Sequence, residues 1–205
     1  MTDFLAIDTS SRHLTVYAQK GERSVLRHLP DCAMQHSVVL MDEIDKALKE
    51  INLTPKECDF FAAVVGPGSF TGIRIGIATA KGFALAANKP LKSLTAFELI
   101  AYNVNSKKSF VVIDAAHAHY YVCGYEDGKV IFNPSYLSQE EVAALPAPLF
   151  GFEDLPFENY TKLEIKNCLM NASLKCENLS DDMHALYVRK SQAEEALCEN
   201  KKVGI

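Results

Sequence analysis

The segment GPGSFTGIR at residues 66–74 holds the densest set of residues that could do chemistry. Its glycines and hydroxyls fall between an unbroken apolar run, residues 59–65, and a helical pattern over about 71–87. A helix N-terminus offers free N–H groups and a positive dipole end to an anion. The lysine of a Walker loop is missing, however, and glycines at 66, 68 and 72 do not fit a dinucleotide fingerprint. A tight turn is then the plain reading of Gly66 and Gly68. Asp8-Thr9-Ser10 and Asp114 form a second candidate. Each aspartate ends an apolar run and precedes an alternating one. Two such loops facing across a cleft could hold phosphates and Mg²⁺. Alternatively, each carboxylate only hydrogen-bonds its own turn. The second loop, Asp114-Ala115-Ala116, lacks hydroxyls.

Other patterns carry less. His117 and His119 stand two apart at a strand start, with no third ligand by spacing; Cys32 and His36 are four apart. Neither an HExxH nor a GxSxG pattern occurs. No nucleophile, base or metal site emerges. The helix after the glycine segment says more. Gly72, Gly76 and Ala80 are four apart and share one face, with Gly82 off that stripe. A glycine inside a helix costs about 0.5–1 kcal/mol against alanine, so close approach of another element is expected. That element is the sheet of the same lobe or a helix of a partner.

These residues need elements to position them. Residues 3–9, 13–19 and 23–28 read as strands, and Leu40, Ile44, Ala47 and Ile51 mark an amphipathic helix over about 36–51. Thr54-Pro55-Lys56-Glu57 is a compact helix start, 59–65 a strand buried on both faces, and 90–94 a short strand. Thr95 to Glu98 is a capping box opening a helix to about 104, where the polar run 103–108 suggests a lobe boundary. The pattern then restarts with strands at 109–114, 119–125 and 129–132 and a short capped helix from Ser138. With Asp8 set over Asp114, Val16 falls on Val122 and Gly21 beside Gly128. Two similar lobes, 1–104 and 105–205, are expected. Residues 162–166 suggest a strand and 187–198 a helix.

Composition bounds the rest. Of 205 residues, 48% are hydrophobic and 23% charged, as in an ordinary globular chain; the net charge of −5 disfavours stand-alone nucleic-acid binding. The start, MTDFLAIDTS, lacks a basic, apolar leader, and no apolar stretch reaches membrane-spanning length. The six irregularly spaced cysteines read as reduced thiols of a cytoplasmic protein.

GPGSFTGIRIGIATAKGFALAA at 66–87 closely resembles the signature of the TsaB (YeaZ) family. LAIDTS at 5–10, His36-Ser37, Asp114 and YVRKSQAE at 187–194 support the resemblance, which covers residues 1–125 well. It implies a duplicated ribonuclease-H-like α/β fold of the actin, Hsp70 and sugar-kinase (ASKHA) superfamily. The implied function is that of a non-catalytic subunit. It would bind and activate a TsaD-like transferase for N6-threonylcarbamoylation of adenosine 37 in tRNA. ATP and a metal would belong to partner subunits, including a TsaE-like ATPase, and tRNA would be met only in the complex. TsaD itself carries a paired-histidine metal site on a helix, where this chain has His36 alone. Family members associate through the two N-terminal helices, with TsaD or as homodimers. The expected interface is Val38, Met41 and Leu48 with Gly72, Arg74, Gly76 and Ala80; Asp8, Thr9, Ser10 and Asp114 would be a vestigial nucleotide site. Ala116 and His117 stand where the family carries an arginine and a basic residue. The alternative is an ATP-dependent phosphotransferase or glycoprotease-like peptidase of the same superfamily.

Overall fold

A computed structural model describes residues 2–177 and 179–189. In the first lobe, β1 (Phe4–Asp8), β2 (Leu14–Lys20) and β3 (Arg23–Leu29) form an antiparallel meander. The helix α1 (His36–Glu50) follows, then a 3₁₀ turn at Pro55–Glu57 inside the expected cap, and β4 (Phe60–Gly66). Next come α2 (Phe70–Ala87), β5 (Leu91–Thr95) and α3 (Ala96–Ala101). The second lobe repeats the meander in β6 (Lys108–Asp114), β7 (His119–Glu126) and β8 (Lys129–Ser138), then adds α4 (Gln139–Ala143), β9 (Leu149–Gly151) and β10 (Tyr160–Lys162). The chain closes with α5 (Cys168–Lys175) and β11 (Leu179–Ser180).

Both sheets order their own five strands third, second, first, fourth, fifth. In each, the first three pair antiparallel and the fourth and fifth pair parallel. This is the duplicated ribonuclease-H-like fold. The helices α1 and α2 cover the outer face of the first sheet, over Leu5, Ile7, Val16 and Phe61. The helices α3 and α5 lie between the sheets, with Phe4, Ala6 and Val64 on one side and Val111, Ile113 and Cys123 on the other. Val142 of α4 covers Val112 and Val122 on the far face. β4 is apolar throughout because both of its faces are covered.

The repeat holds with a one-residue slip. Val16 pairs with Ile7 and Val122 with Val112, each on an outer face. The aspartates, though, oppose Thr15 and Tyr120, because the second hairpin is one residue shorter. The second lobe is abbreviated at one place. No helix lies between β9 and β10, where the first lobe has α2. The strand expected at 162–166 is instead β10 ending at Lys162 and a 3₁₀ turn at Ile165–Asn167. β8 runs on to Ser138 through Pro134, which an edge strand tolerates. The split at 104/105 falls in the α3–β6 turn, but β11 pairs with β5 and α5 packs on β1, so both elements return to the first lobe. Residues 187–189 are not helical, and the rest of the helix expected over 187–198 lies outside the described residues.

Candidate functional site

The strand-end loops come together. Ser10, Gly68, Ser69, Asp114, Ala115 and Ala116 line a cleft of about 680 Å³ between the lobes. The chemistry inside it is largely self-satisfied. Asp8 is buried, and its Oδ1 accepts from the Ser10 amide at 2.8 Å and the Ser10 hydroxyl at 2.7 Å. Burial pushes its carboxyl above the ordinary 3.8, partly offset by those Ser10 bonds. The Thr9 hydroxyl donates to the Gly72 carbonyl oxygen at 2.7 Å. Asp114 is exposed and accepts the Ala116 amide at 2.9 Å, the turn-holding reading of both aspartates. Arg12 is paired with Asp31 at 3.2 Å. Asp114, Glu153 and Asp154 also stand along the cleft, Asp154 paired with Lys162 at 2.7 Å. Burial raises the Glu153 carboxyl, and its Oε2 has no partner among the described residues.

The glycine segment grips β1. The Ser69 amide donates to the Ser10 carbonyl oxygen at 2.6 Å, and the Ser69 hydroxyl caps α2 by accepting the Gly72 amide at 3.2 Å. A Cβ on Gly72 would overlap the Thr9 carbonyl oxygen, and one on Gly76 would stand 2.6 Å from the Thr9 hydroxyl. Gly72, Gly76 and Ala80 are therefore buried against the chain's own sheet. They cannot form an interface, and the partner-helix expectation for them is corrected. Leu48 is also corrected: at 7% exposure it belongs to the outer core, on the side of α1 that packs on the first sheet.

The opposite side of α2 is open. Arg74, Ala78, Lys81, Gly82 and Leu85 are exposed, and nothing lies within 4 Å of where a Gly82 Cβ would be. Leu85 is 86% exposed, and on α1 Val38 is 73% and Met41 53% exposed. Met41, Leu48 and Phe83 line a groove between the two helices. Of the expected interface, Val38, Met41 and Arg74 are at the surface. Ala78, Gly82 and Leu85 were missed, though the signal was present. Ala78, Gly82 and Leu85 lie opposite the Gly72–Ala80 stripe at a hundred degrees per residue.

The remaining candidates stay apart. His119 Nδ1 lies 2.8 Å from the His117 carbonyl oxygen, and its ring stacks on Tyr136 at 4.7 Å. His36 begins α1, is 1% exposed, and has no partner for either ring nitrogen among the described residues. No group of three or more His, Cys, Asp or Glu among the described residues is placed to hold a metal ion. No helix there is long and apolar enough to cross a membrane.

Comparison with known proteins agrees with this architecture. The family model described as TsaD, tRNA N6-adenosine threonylcarbamoyltransferase, matches residues 29–171. The chain is 29% identical over 99 residues to the TsaB tRNA threonylcarbamoyladenosine biosynthesis protein of Bacillus subtilis, covering 48% of this chain and 43% of that one. It is 34% identical over 98 residues to the TsaB protein of Buchnera aphidicola, covering 47% and 46%. These matches thus span less than half the length of the relatives. A Pseudomonas aeruginosa crystal structure, of a protein with similarity to the peptidase YeaZ, superposes with a TM-score of 0.76 at 22% identity, covering 92% of this chain and 100% of that one. With the glycine segment clasping β1 and the lobes duplicated strand for strand, the chain belongs to the family of the TsaD model, and the relatives it resembles over about half its length are TsaB proteins.

Proposed function

We propose that this chain is a non-catalytic subunit of tRNA threonylcarbamoyladenosine biosynthesis that binds and activates a TsaD-like transferase. The observation that carries this reading is the open face of α1 and α2. Val38 and Met41 on α1 and Leu85 on α2 are exposed apolar side chains, and Ala78 and Gly82 on α2 are small enough to admit a partner helix closely. Close approach gives dispersion contacts that larger residues would block. The same face pairs with a second copy when the partner is absent, in a two-fold arrangement. ATP and metal belong to partner subunits, a TsaE-like ATPase among them. tRNA is met in the assembled complex, in the cytoplasm. The phosphotransferase or peptidase reading is the weaker one, because Asp8 and Ser10 satisfy each other.

The test mixes the purified chain with a TsaD-like protein and the remaining biosynthetic components, following complex mass by sedimentation and modified adenosine on tRNA. The chain should be inert alone and required in the mixture. Gly82→Leu and Val38→Asp should leave the chain folded, without lowering the melting temperature in the first, and weaken the complex by roughly tenfold or more, as disruption of a central contact does. Unchanged affinity in both variants would remove this face as the docking surface.

A further inference from the structure

Residues 182–189 leave the first sheet and end on the second lobe, anchored at successive points. Asp182 pairs with Lys81 on the open side of α2, and Met183 is buried in the outer core of the first lobe. The Leu186 amide donates to the Val65 carbonyl oxygen at 2.7 Å, just before the glycine segment. A Cβ on Gly66 would stand 2.6 Å from the Leu186 carbonyl oxygen, so the approach there needs glycine. Arg74 Nε donates to the Tyr187 hydroxyl at 3.1 Å. The Tyr187 ring lies 5.2 Å from that of Phe70, over which the Arg74 guanidinium sits at 3.8 Å. Val188 packs into the core between the lobes. Arg189 then reaches β8, donating from Nη1 to the Tyr136 hydroxyl at 3.0 Å with its guanidinium 5.0 Å from the ring.

We propose that this segment is a latch that couples the first turn of α2 to β8 of the second lobe. Only Val188 separates the clamp on Phe70 and Arg74 from the clamp on Tyr136. Tyr187 and Arg189 are two Cα steps apart, a span of at most roughly 7 Å, so a displacement of the second lobe relative to α2 that exceeds the slack in this tether must break one of the clamps. Each clamp includes a partly exposed arginine–aromatic contact and a hydrogen bond, contacts of a kind that open without unfolding the chain. The angle between the lobes and the end of α2 nearest the cleft therefore change together. Its use in regulating docking rests on the reading of α2 as a docking helix; the latch itself is a property of this chain alone.

Hydrogen exchange on the whole chain, without partner, tests it. Tyr136→Ala removes the clamp from the second lobe, yet the readout is the Leu186 amide on the first. That amide should exchange roughly tenfold faster, while β1 and β4 keep their protection. Arg189→Gln, cut at the other end of the contact, should give the same pattern. If Tyr136→Ala strips protection from β6 and β7 as well, Arg189→Gln decides alone. Unchanged Leu186 protection in a folded Arg189→Gln chain overturns the latch, whether or not a TsaD-like protein binds. Faster exchange with no binding of that protein leaves the latch standing and removes the docking reading.

Discussion

Gly76 and Gly82 lie in one helix and have opposite reasons to be glycine. At Gly76 the neighbour is the Thr9 hydroxyl, 2.6 Å from an added Cβ; at Gly82 there is open space. Gly76→Ala should destabilise the fold by about 1–3 kcal/mol through overpacking, whereas Gly82→Ala should stabilise it by about 0.5–1 kcal/mol through backbone entropy. Denaturant unfolding of the two variants checks both signs. His36 bears on pH. Burial holds its imidazole below the ordinary 6.5, with partial compensation from Asp8, and burial lowers His13 and His28 likewise. The unfolded chain then takes up protons first. The stability these neutral rings allow is complete above about pH 6.5 and is lost as pH falls below it toward their folded-state values. Asp8 has the opposite sign, because its raised carboxyl is relieved by protonation at lower pH. Stability should decline from about pH 7.5 to about 5.5, and the slope should be shallower in His36→Leu. An identical slope would show that His36 does not titrate differently on folding.

At the scale of elements, local patterns were legible where one force sets them. The 3.6 period of α1, the apolar run of β4 and the capping boxes at Thr95 and Ser138 stand as read. Leu149–Gly151 and Cys168–Lys175 were not legible, because a three-residue strand and a two-turn helix give too few periods to separate from loop. The loop after Asp114 hid a further feature. Ala116, His117 and Ala118 have φ of 63°, 54° and 53°, a left-handed run without glycine. Such a conformation costs a non-glycine residue roughly 1–2 kcal/mol. Ala118→Gly should raise the unfolding free energy by about 1 kcal/mol. A loss of stability there would mean that the alanine methyl makes a contact that outweighs the strain.

The two lobes are one thermodynamic body on this architecture. The core between the sheets draws side chains from both, and α5 and β11 return from the second lobe to the first. Calorimetry should show a single unfolding transition with equal calorimetric and van't Hoff enthalpies; two resolved transitions would contradict the shared core. By itself, the sequence determined the order of elements, the duplication and the family signature, since these rest on periodicity, turn residues and a long motif. Which side of α2 faces outward was left to the tertiary structure. GPGSFTGIRIG holds small residues that suit either a sheet or a partner helix, and local spacing does not distinguish the two. Thr9, more than sixty residues earlier, decides it by meeting Gly72 and Gly76 across the fold. The side of α2 left exposed is then the one around Ala78, Gly82 and Leu85.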